Sequence, residues 1–195
     1  VVNRQRSAVA FVTMLMFGAA LVASEPGRPD PGKAMAAQRE AMKALAFLDG
    51  VWRGPAWTLL PSGEKHTMVQ TERIGPFLDG SVKVVEGRGY EADGKAGFNA
   101  LGVISFDADK RTYTLRSYAQ GNLGDFQLKL NADGMVWEIP AGPMTIRHTV
   151  VIRDGVWKEV GDRIVPGKEP VRYMEMTLTR VGDTDWPAAG AVPQK

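Results

Sequence analysis

The sequence has no cysteine among its 195 residues. That absence excludes disulfides, thiolate metal sites, cysteine nucleophiles and a lipid anchor on cysteine. A domain of this length can bury an adequate core without cross-links, so the absence is compatible with export. Histidine is nearly absent as well, with only His66 and His148. Two histidines without a His-x-x-x-His spacing argue against a catalytic zinc site, and no metal or other cofactor is expected. No Gly-x-Ser-x-Gly nucleophile elbow occurs. Gly87-Arg88-Gly89 lacks the third glycine of a dinucleotide loop and falls inside a strand pattern. An excess of charge is missing too. The formal +2 comes entirely from Arg4 and Arg6, and the remaining 22 basic residues match 22 acidic ones. A balanced surface removes the electrostatic case for nucleic acid.

Long apolar runs are also lacking. After Arg4 and Arg6 comes an uncharged stretch, Ser7 to Ser24, with its apolar heart at 8–17 and small residues from Gly18 to Ala20. A basic start, a short apolar segment and a small-residue exit predict a cleavable signal peptide over 1–24, with a periplasmic or secreted mature protein. The apolar run falls short of the ~20 residues of a membrane span, and the mature form is not expected in a membrane. Residues 25–32 contain three prolines and predict a linker. Lys33 to Phe47 predicts a helix of strong formers, with Met42, Leu45 and Ala46 available for packing and Asp49-Gly50 ending it.

From Val51 the sequence changes character. Short segments rich in Val, Thr, Ile, Tyr and Trp alternate with turns, and Asp-Gly occurs at 49–50, 79–80, 93–94, 133–134 and 154–155. Asp-Gly tolerates the positive φ of tight hairpins. The segments predict strands over 52–60, 65–74, 81–90, 97–106, 112–119, 124–130, 135–139, 144–152, 156–160 and 171–180. No space remains between them for the helices that parallel pairing requires. The expected fold is all-β, an antiparallel lipocalin-like (calycin-type) barrel of 8–10 strands behind a short helix, within a domain spanning 33–181. A sandwich is the alternative. The tail over 182–195 is expected to be loose, with Trp186 able to dock.

Strand alternation assigns faces. Met144, Ile146, His148, Val150 and Ile152 share one side, so His148 is expected to point inward. Glu86, Arg88 and Tyr90 share a side with Val82 and Val84, and Arg172, Met174, Met176 and Leu178 oppose Tyr173 and Glu175. The faces are too mixed for a plain sandwich core. A ligand-holding barrel accommodates inward polar groups that are paired or wetted. Glu72, Glu86, Arg88, Tyr118, His148 and Tyr173 are candidates for such groups, and the ligand contacts expected are His148, Glu72, Arg88, Tyr118, Tyr173 and Trp52.

The order of motifs resembles a family. A helix runs into Leu48-Asp49-Gly50-Val51-Trp52-Arg53-Gly54, followed by Leu78-Asp79-Gly80, then Gly102-Val103-Ile104-Ser105-Phe106-Asp107 with Tyr113 after the turn. The strand Met174–Arg180 closes the series. This order, over about 44–181, is similar to DUF1579, a bacterial family with a lipocalin-like barrel and no settled activity. The family's Gly-Tyr-Asp turn reads Ser105-Phe106-Asp107 here. The Leu-x-Gly-x-Trp-x-Gly opening also resembles nitrobindin-type haem barrels, which hold haem by a late histidine that the final strand of this sequence lacks. Three functions stay open: binding of a small, partly apolar or amphipathic molecule inside the barrel, an enzyme using His148 with a carboxylate as general base, or an interaction module using an exposed sheet edge or rim.

Overall fold

A computed structural model describes residues 30–187. The segment assigned to a signal peptide and most of the linker lie outside the described residues. The chain opens with α1, Pro31–Lys43, and a 3-10 turn, Ala46–Leu48. Ten strands follow: β1 Gly50–Leu59, β2 Lys65–Phe77, β3 Val82–Tyr90, β4 Ala96–Asp107, β5 Thr112–Ala119, β6 Asn122–Asn131, β7 Gly134–Ala141, β8 Met144–Arg153, β9 Val156–Ile164 and β10 Val171–Gly182.

Each strand pairs antiparallel with its sequence neighbours, and β10 returns to β1 to close the barrel. The closing register sets Trp52 against Arg180 and Ala56 against Met176. Every strand thus has a bonded neighbour on each side, but β6 and β7 pair only over Lys129–Asn131 and Gly134–Val136, so the rest of their facing edges is not bonded across that seam. Four of the five Asp-Gly pairs lie at hairpins. At 154–155 both residues take positive φ, 53° and 72°, as the tightest turns demand. The fifth, Asp49-Gly50, instead joins the 3-10 turn to β1.

The helix begins earlier than the proline content suggests. Pro31 falls in its first turn, where a missing N–H and a fixed φ are tolerated, so the linker does not extend to 32. α1 stops at Lys43, and the tighter turn that follows buries Leu45 and Leu48 while leaving Ala46 exposed. Met42, Leu45 and Leu48 close one end of the barrel. Tyr113 Oη donates to the Ala41 carbonyl at 2.8 Å, and Trp52 Nε1 donates to the Leu48 carbonyl at 3.0 Å. Beside them Lys83 Nζ, itself buried, meets Asp49 at 2.5 Å. The first part of the tail docks: Trp186 packs edge-on against Phe77 at 5.7 Å and Asp185 pairs with Arg73 at 3.2 Å. No helix among the described residues is long and apolar enough to cross a membrane.

Candidate functional site: the barrel interior

The barrel is not filled. A cavity of about 400 Å³ runs from Leu48, Ile74, Ile104 and Trp157 near the capped end toward the hairpins at the other end, where Trp57, Phe98 and Ile139 line it. This volume is within the range of about 300–1,000 Å³ usual for small-molecule sites. Most of the wall is apolar, and its polar groups concentrate in two places.

The first is a chain of three side chains from β8, β9 and β10. His148 Nδ1 lies 2.9 Å from Glu159 Oε1, and His148 Nε2 lies 2.9 Å from Tyr173 Oη. The imidazole stacks flat on Trp137, with centroids 4.7 Å apart and planes 5° from parallel. His148 and Glu159 are mostly buried, with side chains 12% and 7% exposed. Burial, reinforced by the nearby Glu159, pushes the Tyr173 phenol up to about 12. The phenol is therefore neutral and can donate to Nε2, which places the proton of a neutral imidazole on Nδ1, facing Glu159.

Backbone geometry makes this contact possible. Simple alternation would turn Tyr173 away from the face carrying Met174 and Met176. The β9–β10 register slips between Arg172 and Met174, and the irregularity brings both Tyr173 and Met174 to the cavity wall. Gly161, opposite both His148 and Met174, supplies the space. A Cβ there would sit 2.6 Å from the Tyr173 ring.

The second polar group is Glu72 on β2. Among the described residues its one hydrogen-bond partner is the neutral Gln70 amide, whose Nε2 donates to Oε1 at 2.7 Å. Desolvation dominates: burial, opposed by the Gln70 bond and assisted by Glu159 and Glu86, raises the carboxyl to about 8. At neutral pH Glu72 is mainly a protonated acid within an apolar wall. Gly87 across the strand pair makes room for it, since a Cβ there would fall 2.8 Å from Glu72 Oε1.

That packing corrects the expectation for β3. The inward face carries Lys83, Val85, Gly87 and Gly89, so Glu86 and Arg88 point outward, ion-paired to each other on the surface. Tyr118 is likewise outside, 45% exposed beside Leu101. Arg88 and Tyr118 thus lie on the outer wall, because the glycines on β3 and the small Ser117 and Ala119 on β5 take the inner positions. Trp52 is inward but does not reach the cavity: it is 1% exposed and packs edge-on against Trp157 at 5.7 Å, in the core toward the capped end. His148, Glu72 and Tyr173 do line the cavity. Glu159 and Gln70 were not singled out in the sequence, although Glu159 shares a strand face with Trp157, a pattern that marks an inward carboxylate.

Among the described residues no group of three or more His, Asp or Glu is placed to hold a metal ion. A histidine-held haem does not fit. Both ring nitrogens of His148 are engaged, and His66 is paired with Glu91 at 3.1 Å.

No protein-family model matches the chain, and no curated protein matches it. Solved structures do. The chain is similar to Rv2717c from M. tuberculosis, with 13% identity and a TM-score of 0.55 over 72% of this chain and 96% of that one. It is also similar to the S-type phycobiliprotein lyase CPES from Guillardia theta, with 12% identity and a TM-score of 0.49 over 77% and 98%. At this identity the likeness to Rv2717c is one of fold, and it agrees with a lipocalin-like barrel.

Proposed function

We propose that this protein binds a small, partly apolar molecule inside its barrel. The observation that carries the reading is the cavity of about 400 Å³, mostly apolar but furnished with a few buried polar groups. A barrel serving only as a scaffold gains more by filling such a space, because an empty apolar void forfeits dispersion contacts. A motif order resembling that of DUF1579, and the export that residues 1–24 predict, are compatible with a carrier of this kind. Native mass spectrometry of the protein purified from its own host tests the reading. A retained small molecule, lost when the cavity is blocked by Ala100→Trp, is the expected result. A bare chain mass, together with no uptake of amphipathic probes, contradicts it.

The Glu159–His148–Tyr173 chain favours a second reading, a proton-transfer enzyme in which Tyr173 presents the reacting hydroxyl and His148 relays its proton toward Glu159. Exchange of the α-protons of bound carbonyl compounds with solvent deuterium, followed by NMR and compared with Tyr173→Phe, separates catalysis from binding.

A further inference from the structure

The charges around the cavity are one-sided. Glu72, Glu159 and His148 line it, while among the described residues no lysine or arginine does. The buried cation Lys83 is held by Asp49 at 2.5 Å. Arg163 lies over the Tyr173 ring at 4.9 Å and is not part of the lining. Outside the wall, Glu86 is held by Arg88. Glu159 has the His148 imidazole as its partner. Glu72 has, among the described residues, only the neutral amide of Gln70. One buried carboxyl thus faces an apolar space with no counter-charge among the described residues.

This asymmetry selects among amphipathic ligands. A fatty acid would bring its carboxylate into a wall that, among the described residues, has no lysine or arginine to receive it. An alcohol could hydrogen-bond to Glu72 but would leave its charge unmet whenever the acid ionises. A protonated amine supplies the counter-charge that lets the carboxyl ionise, and the charged hydrogen bond between them is among the strong ones. We infer that the cavity receives a lipophilic amine, with Glu72 as the counter-charge to its ammonium group. The inference rests on the ligand-binding reading above and names the class of molecule that reading leaves open.

Proton balance follows from the same geometry. In the free protein at neutral pH Glu72 holds a proton. A bound ammonium favours the carboxylate, so that proton leaves to solvent as the amine enters. Affinity for the amine should then rise by about tenfold per pH unit from pH 6 toward 8 and level off above it.

The test uses three probes of one chain length, decylamine, decanol and decanoate, titrated calorimetrically into the full-length mature protein at pH 7. Decylamine is expected to bind at least about tenfold more tightly than decanol, with decanoate weakest, and to release about one proton when measured in buffers of different ionisation enthalpy. Circular dichroism and urea unfolding should show Glu72→Gln folded. The variant should lose the preference for decylamine and its pH dependence. Decanol or decanoate binding as well as decylamine overturns the amine inference and leaves the binding reading standing. A preference for decylamine that survives in Glu72→Gln overturns the role of Glu72. If none of the three probes binds, the binding reading itself fails.

Discussion

Glu72→Gln should stabilise the protein, by an amount that grows with pH. The wild-type carboxyl is raised from 4.5 to about 8, first of all by burial. Between those two values the folded state holds a proton that the unfolded chain has released. Stability therefore falls as pH rises through that window, at up to about 1.4 kcal/mol per pH unit, and becomes flat above it. Across the window the loss sums to roughly 4–5 kcal/mol, a large part of the 5–15 kcal/mol typical of a domain. Glutamine keeps the shape and the hydrogen bond with Gln70 but has no charge to desolvate. Urea unfolding of wild type and variant between pH 4 and 9 measures the difference. The two should agree at pH 4 and diverge steadily from pH 5 to 8, with the variant more stable. Parallel pH profiles would refute the reasoning, because they would mean that Glu72 titrates in the folded state as it does in the unfolded chain, with water reaching it.

Tyr173→Phe removes the bond to His148 Nε2 at 2.9 Å and leaves a mostly buried ring nitrogen unpaired, so chemical denaturation should show a loss of about 1–3 kcal/mol. Glu159→Leu should cost a similar amount, about 1–3 kcal/mol, by orphaning Nδ1, and the His148 ring protons should move in the NMR spectrum. Gly161→Ala drives a methyl against both Met174 Cγ and the Tyr173 ring and should cost about 1–3 kcal/mol in chemical denaturation. Arg88→Ala and Tyr118→Ala, on the outer wall, should leave both the thermal midpoint and ligand affinity unchanged, and a loss of affinity in either would contradict the assignment of β3 and β5 faces.

The strands were legible because hairpins leave local marks. All ten predicted segments coincide with strands to within a few residues, since Asp-Gly and similar turns impose positive φ that few other pairs accept. The face of β8 was legible for the same local reason: five residues of alternating character, four of them plainly apolar, leave one consistent orientation, and His148 follows them inward. β3 was not legible. Its two faces differ as Val, Val, Glu, Arg and Tyr against Ser, Lys, Val, Gly and Gly, and hydrophobicity chooses the wrong one. What decides is volume, because Glu72 from the neighbouring strand occupies the space that a side chain at Gly87 would need. That fact belongs to a pair of strands and cannot be read in either alone. The position of Tyr173 depends on a register slip in β10, which likewise arises only when β9 lies beside it.

Glu72 was singled out in the sequence, but the cost of placing it there is one that the fold absorbs elsewhere. A buried acid without a cation is a conflict between a local choice and the global core, and such conflicts raise the free energy of the native state rather than lower it. Here the barrel leaves an inward glycine to house Glu72, closes its far end with Leu45, Leu48 and Trp52, and keeps the middle open. Replacing Glu72 by an apolar residue of similar size would relieve the desolvation and improve packing, so stability alone gives no reason for a carboxyl at this position. The Glu159–His148–Tyr173 chain differs: each of its members finds a partner, and its burial is self-consistent. The unbalanced group is therefore Glu72, and the charge it lacks is the one that we propose a ligand supplies.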